Sequence, residues 1–200
     1  MDTLLNDFYN LLRERFMTDI DPVERSITYT FFYVLAASNY CKPHEILLEY
    51  KHKNIPGKKV DTYIKANDER HGLVMECKYD RKIPSKNNNP RPRKAGMVFN
   101  DLFRLASFSL DSNIKKWFIY ITDEEMANYY NNEKNKLVGF FNIKEGKELL
   151  INQAYLKNKC ETFNSEIKND SISEIVIKCI FDNSLPKDHI IKIFEIENVK

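Results

Sequence analysis

The stretch Lys59-Val60-Asp61-Thr62-Tyr63-Ile64 and, after a polar connection over residues 65–72, Gly72-Leu73-Val74-Met75-Glu76-Cys77-Lys78-Tyr79 decides how this chain is read. In the first run Val60, Thr62 and Ile64 alternate with Asp61 and Tyr63, which predicts a strand. The second run predicts another, and its period of two puts Glu76 and Lys78 on one face. Lys65-Ala66-Asn67-Asp68-Glu69-Arg70-His71-Gly72 suits a hairpin loop, so the strands can pair with Asp61 and Glu76 close together. Two such carboxylates can share one hard cation: Mg²⁺ prefers oxygen ligands and takes only one or two carboxylates while keeping waters. A lysine two residues beyond Glu76 points into the same place, where it can orient a water and offset developing negative charge.

Asp61 followed by Glu76-Cys77-Lys78 resembles the PD-(D/E)XK nuclease superfamily, the restriction-endonuclease-like phosphodiesterases. Asp61 matches the family's aspartate, Glu76 and Lys78 match its E-x-K, and Val60 stands where the motif's name has proline. The resemblance covers a core of about 22–122. It implies a three-layer α/β/α fold with a central mixed sheet, and Mg²⁺-dependent hydrolysis of DNA phosphodiester bonds, with Mn²⁺ able to substitute. The products would carry a 5′-phosphate and a 3′-hydroxyl. Asp61, Glu76 and Cys77 are the expected metal positions, and Asp61, Glu76, Lys78 and Glu24 the expected catalytic ones. A non-catalytic nucleic-acid-binding or assembly protein on the same fold is the alternative.

The sequence around the motif supplies its context. Asp21-Pro22 reads as an N-cap and first-turn proline, followed by Val23, Ile27, Thr30, Phe31, Val34 and Leu35 at helical spacing. Glu24 lies in the opening turn, where the helix dipole favours an acid and where the resembled family often places a further metal-site acid. His44 to Tyr50 reads as the first strand, and Glu49 on it is the other candidate for that acid. Gly96 to Leu110 reads as an amphipathic helix through Phe99, Leu102, Phe103, Ala106 and Leu110, with Asn100, Arg104 and Ser107 on its polar stripe. Lys116 to Thr122 is nearly continuously apolar, as in an interior strand covered on both faces.

Charge is unevenly placed. The net charge is only +2, yet residues 51–59 and 81–94 hold ten Lys and Arg and no acid. A basic rim beside a carboxylate pocket suits a phosphate backbone. Lys58, Lys59, Arg81, Lys82, Lys86, Arg91, Arg93, Lys94, Asn100 and Arg104 are therefore the expected DNA-contacting residues. The Pro- and Asn-rich run from Ile83 to Arg93 reads as a mobile loop able to enter a groove.

Two hundred residues with 42% hydrophobic content suit one α/β domain over 1–200, the part beyond 136 being a C-terminal extension. In it residues 136–143 read as a strand, 148–163 as a helix, and 174–181 and 189–196 as strands that finish the sheet or pair in a homodimer. Cys41, Cys77, Cys160 and Cys179 form no C-x-x-C pair, the four histidines form no cluster, and neither a phosphate-binding glycine loop nor a G-x-S-x-G turn occurs. No apolar run approaches membrane-spanning length and no signal peptide is read, so a cytoplasmic protein without membrane association is expected.

Overall fold

The computed structural model describes residues 2–20, 22–82, 88–110, 113–168 and 174–198. It is an α/β structure around a seven-stranded mixed sheet of order β1-β2-β3-β4-β7-β6-β5. The strands are β1 (Ile46–Lys51), β2 (Lys59–Ile64), β3 (Gly72–Asp80), β4 (Ile114–Thr122), β5 (Glu148–Asn152), β6 (Glu174–Leu185) and β7 (His189–Asn198). The helices are α1 (Asp2–Met17), α2 (Glu24–Ala37), α3 (Arg91–Ala106), α4 (Glu124–Asn131), α5 (Val138–Phe141), α6 (Gln153–Lys157) and α7 (Glu161–Asn164). Every neighbouring pair is antiparallel except β3 and β4, which run parallel and are joined by α3. A parallel pair requires such a crossover.

The sheet is buried on both sides because its central strands carry apolar residues at both parities. Leu73, Met75, Trp117, Ile119, Ile121, Ile191 and Ile193 meet α1 and α2. Val74, Phe118, Tyr120, Phe194 and Ile196 meet α3 and the later helices. In α1, Leu4, Phe8, Leu12 and Phe16 recur every fourth residue and are all buried, which forms one stripe along the helix. Phe8 sets its ring edge-on to Phe31 of α2 at 5.1 Å between centroids. β4 has the interior position expected of it, between β3 and β7.

Several elements differ from the sequence-based expectation. Residues 136–143 form no strand: Lys136 takes a left-handed φ of 56°, and α5 then buries the adjacent Phe140 and Phe141 together. Two consecutive buried aromatics suit a helical turn, since a strand would send them to opposite faces. Residues 148–163 do not form one helix. Glu148 to Asn152 instead pairs with β6, and Asn152 Oδ1 then caps α6 by accepting from Tyr155 N at 3.0 Å. The helix expected from Gly96 to Leu110 is shifted, because α3 opens at Arg91 directly after Pro90 and stops at Ala106. Proline is at home in a first turn, so the second half of the basic Pro-rich run is helical. A 3-10 turn over Pro43–Glu45 replaces the start of the first strand. α2 is capped at Val23, whose N–H donates to Ser26 Oγ at 3.0 Å; Asp21, the expected cap, lies outside the described residues. The C-terminal strands join the sheet through β7 against β4.

Gly96 marks the closest approach of α3 to α7: a Cβ built there would stand 2.3 Å from Phe163 O. Gly139 in α5 has no atom within 4 Å of that position. Gly96→Ala is therefore expected to destabilise by about 1–3 kcal/mol through overpacking, against the preference of helices for alanine. Gly139→Ala is expected to be neutral or to stabilise by up to about 1 kcal/mol. Urea denaturation of both variants checks this contrast of sign.

Candidate active site

The site forms where β2 and β3 part. Their ladder pairs Ile64 with Leu73, Tyr63 with Val74 and Thr62 with Met75, and it ends there. Asp61 and Glu76 are the next residues along each strand. They share parity with Tyr63 and Val74, which pack towards α3, so the two carboxylates belong to that face. β2 meanwhile stays paired with β1 out to Lys59 opposite Lys51.

Parting leaves the β2 edge of β3 without a strand partner, and a backbone N–H that loses one must find another acceptor. Side-chain carboxylates provide it. Cys77 N donates to Asp61 Oδ2 at 2.8 Å, and Tyr79 N donates to Glu24 Oε2 at 2.9 Å. The two donors are two residues apart and point to the same edge. Asp61 from β2 and Glu24 from the first turn of α2 thus replace two ladder bonds and are anchored by doing so.

The opposite wall is α3. Arg104 reaches Glu76 Oε1 at 2.9 Å with one guanidinium nitrogen and Asp101 Oδ1 at 2.8 Å with the other. Glu76 Oε1 is buried, and the guanidinium is the cation it meets. Glu76 as a whole is only 4% exposed. Burial, together with the neighbouring Asp61 charge, pushes the Glu76 carboxyl well above the usual range, and Arg104 offsets only part of this. Burial also raises Glu24, Asp61 and Asp101. For Lys78, burial works to lower the pKa, but Glu24, Asp101 and Asp80 together reverse that and leave the ammonium above its usual value.

Two cavities flank Glu24. One, of about 310 Å³, is lined by Lys78, Asp80, Arg81, Asn88, Asn89 and Lys94 beside Val23, Tyr79 and Met97. The other, of about 450 Å³, is lined by Asp61, Glu24 and Glu49 together with Arg25, Thr28, Tyr29, Phe32 and Leu48. Glu49 has a left-handed φ of 49° in the middle of β1, where a non-glycine residue is strained, and its exposed carboxylate lies 3.5 Å from Lys59. Glu24 and Glu49 therefore both border the Asp61 cavity, and Glu24 is the one tied to β3.

The remaining expected site residues are placed as follows. The Cys77 thiol is buried in the core beneath α1 and α2, because its parity is opposite to that of Glu76, and burial pushes it well above its ordinary pKa; its backbone, whose N–H donates to Asp61, is the part that faces the site. Arg104 turns inward to carboxylates. Asn100 Oδ1 accepts from Lys168 N at 3.0 Å. Arg91 and Lys82 pair with Glu125, and Arg93 pairs with Glu166. Lys94 Nζ donates to Arg81 O at 2.9 Å, and Arg81 stands over the Tyr79 ring. Lys58 is exposed. Lys86, with the rest of residues 83–87 of the expected loop, lies outside the described residues. Sequence reading missed Asp101 and Asp80. Asp101 is three residues from Arg104 on α3, and Asp80 continues the Glu76, Lys78 parity, so spacing alone could have found both.

Among the described residues no three His, Cys, Asp or Glu side chains gather into a metal cage. Mg²⁺ needs no such cage, since one or two carboxylates with waters suffice. The residues suited to it are Asp61 and Glu76, adjacent carboxylates both raised in pKa by burial, a condition that a cation relieves and that Arg104 relieves only in part at Glu76. No described helix is long and apolar enough to cross a membrane. Comparison with known proteins found no matching family model, no matching curated protein and no matching solved structure.

Asp80 gives a test of these electrostatics. Burial pushes its carboxyl up to about 6, although Lys78 and Lys94 pull it down and Tyr120 OH donates to it at 3.1 Å. A folded-state pKa above the unfolded value of about 3.9 means that stability is fully present below the latter and is lost as pH rises through the former. Asp80→Asn keeps an acceptor for Tyr120 and removes the charge. Its stability is expected to match the parent below about pH 4 and to exceed it above about pH 6, by up to roughly 3 kcal/mol. Denaturant titrations across that range decide it, and equal offsets at both ends would contradict it.

Proposed function

We propose that this protein is a Mg²⁺-dependent deoxyribonuclease with a restriction-endonuclease-like fold of the PD-(D/E)XK kind. The observation that carries the reading is the placement of Asp61 and Glu76 at the opening of the β2–β3 ladder, with Lys78 on the same face two residues further. The α/β architecture, with α2 bringing Glu24 to β3 and α3 closing the far wall, supports it.

In this reading Asp61 and Glu76 hold the cation and Glu24 assists. When bound, the cation would supply a water of lowered pKa and neutralise charge on the phosphate. Lys78 has a raised pKa and is protonated, so its part is electrostatic: it orients the water and offsets charge as the phosphorane forms. In-line attack would form the new P–O bond and break the bond to the 3′-oxygen, which leaves with its electron pair and takes a proton from solvent water, while the proton of the attacking water passes to solvent. Lys94, Arg81 and Asn88 border the cavity on the Lys78 side and are suited to the flanking phosphate.

A non-catalytic DNA-binding role on the same scaffold is favoured by one observation, that Arg104 already balances Glu76 and Asp101. Nicking of supercoiled plasmid with and without Mg²⁺ or Mn²⁺ separates the two. Cutting is expected only with metal, and Lys78→Met and Asp61→Asn are each expected to lower it by at least about 100-fold. Mg²⁺ is also expected to raise the melting temperature of the parent, by a shift equivalent to about 2.7 kcal/mol at one hundred times its Kd, and to leave that of Asp61→Asn unmoved. Metal-independent cutting, or full activity in either variant, would overturn the assignment.

A further inference from the structure

The outward side of α2 is aromatic where a surface helix is ordinarily polar. Tyr29 and Tyr33 are 60% and 65% exposed, and Phe32 between them is only partly buried. Leu48 of the edge strand β1, 48% exposed, faces the same space. This surface is part of the candidate site, because Tyr29, Phe32 and Leu48 line the same 450 Å³ cavity as Asp61 and Glu24. On the other side of Glu24 the smaller cavity carries Lys78, Arg81, Lys94 and Asn88.

The two halves differ in chemistry. One offers Lys78, Arg81, Lys94 and two asparagines, suited to an anion, beside Asp80 and apolar side chains; the other offers the Tyr29 and Phe32 rings among carboxylates, Arg25 and Thr28. A nucleotide has both characters, an anionic phosphate and a planar base with an apolar face. In duplex DNA the faces of the bases are stacked on one another, and a side chain reaches only their edges in a groove. An unpaired base presents its face, and aromatic side chains take such bases by stacking irrespective of sequence. Exposed rings within the cavity that holds Asp61 are of use to the second kind of substrate.

We infer that the strand acted on is unpaired at the site, and that a base next to the scissile phosphate stacks on Tyr29 in the cavity it shares with Phe32 and Leu48. The substrate class is then single-stranded nucleic acid or the splayed strand of a junction or flap. This rests on the nuclease reading for the position of the phosphate. Tyr29 is a binding residue in it, 60% exposed, with its ring centroid 6.0 Å from that of Phe32 and edge-on to it, and it belongs to neither buried core, so its ring can be removed without opening one.

The test is fluorescence anisotropy of a labelled oligo(dT) and of a duplex of equal length, in Ca²⁺ to suspend cutting, with the parent, Tyr29→Ala and Tyr29→Phe, each first checked for an unchanged melting temperature. The single strand is expected to bind the parent more tightly than the duplex. Tyr29→Ala is expected to weaken it by roughly 5- to 100-fold, as loss of one base–aromatic stack does. Tyr29→Phe, which keeps the ring, is expected to bind like the parent. A 2-aminopurine placed near the cut position is expected to be quenched by the parent and by Tyr29→Phe only. These results without any cutting would uphold the stacking of an unpaired base on Tyr29 and overturn both catalysis and the placement of that base beside a scissile phosphate. Metal-dependent cutting of duplex DNA with no single-strand preference and no effect of Tyr29→Ala would overturn the inference and leave the nuclease reading standing. Absence of both binding and cutting with every DNA would overturn both. Self-association of the parent that Tyr29→Ala abolishes, without an effect on DNA, would assign this surface to a second copy of the chain and overturn the inference.

Discussion

The hydrogen bonds from Cys77 N to Asp61 and from Tyr79 N to Glu24 are what the site depends on. They allow β3 to continue to Asp80 after β2 has left it, because the N–H groups exposed by the parting are received by carboxylates. Without them the strand would either pair further and close the gap or leave buried donors unsatisfied, at a cost of about 1–3 kcal/mol each. The same two bonds locate the acids. Asp61 and Glu24 come from different elements, yet each is fixed to the backbone that carries Glu76 and Lys78. A strand is among the most rigid supports a site can have, and chemistry placed on it is held more accurately than chemistry on a loop.

That arrangement concentrates charge. Glu24, Asp61, Glu76, Asp80 and Asp101 form one electrostatic cluster, and Lys58, Lys78, Lys94 and Arg104 are cations that act on it. If all nine were ionised these groups would carry one excess negative charge, in surroundings that raise every one of the five carboxyl pKa values. Such a cluster relaxes by taking up protons or a cation. Arg104 belongs to this balance: by bridging Glu76 and Asp101 it holds the most deeply buried acid in place. Removing one member of a buried pair ordinarily costs more than the pair contributes, which is why the guanidinium is better understood as structural than as a contact to substrate.

Much of this was legible in the sequence, and the failures have physical causes. β2, β3 and β4 are set by alternation or by continuous apolar runs, and Asp61, Glu76 and Lys78 follow from parity once the hairpin is granted. Glu24 was legible only as a helix-start acid; its bond to Tyr79 N depends on how α2 packs, which no local pattern encodes. Asp101 and Asp80 were within reach of spacing rules, but their importance comes from burial, Asp101 beside Arg104 and Asp80 beside Tyr120. β5 was read as helix because its short apolar run has no decisive period, and pairing with β6 decides it. Residues 136–143 were read as a strand on composition, whereas two adjacent phenylalanines filling one core next to Tyr130 decide for a turn of helix.

The basic segments show most clearly how position along the chain differs from position in space. As sequence, residues 51–59 and 81–94 form an uninterrupted positive rim. In the folded protein Lys59 meets Glu49, Lys82 and Arg91 meet Glu125, and Arg93 meets Glu166. Exposed pairs of this kind add little stability, at most about 1 kcal/mol each, but each reduces the net field that a phosphate backbone would feel. What stays directed at the site is narrower: Lys78 and Lys94 beside Arg81 on one side of Glu24, and aromatic rings on the other. Under the proposed reading, recognition would lean on the fit of one nucleotide into two unlike cavities more than on the attraction of a polyanion to a charged surface. It is then consistent that the net charge of the chain is small, although the handful of cations that matter are concentrated around one acid.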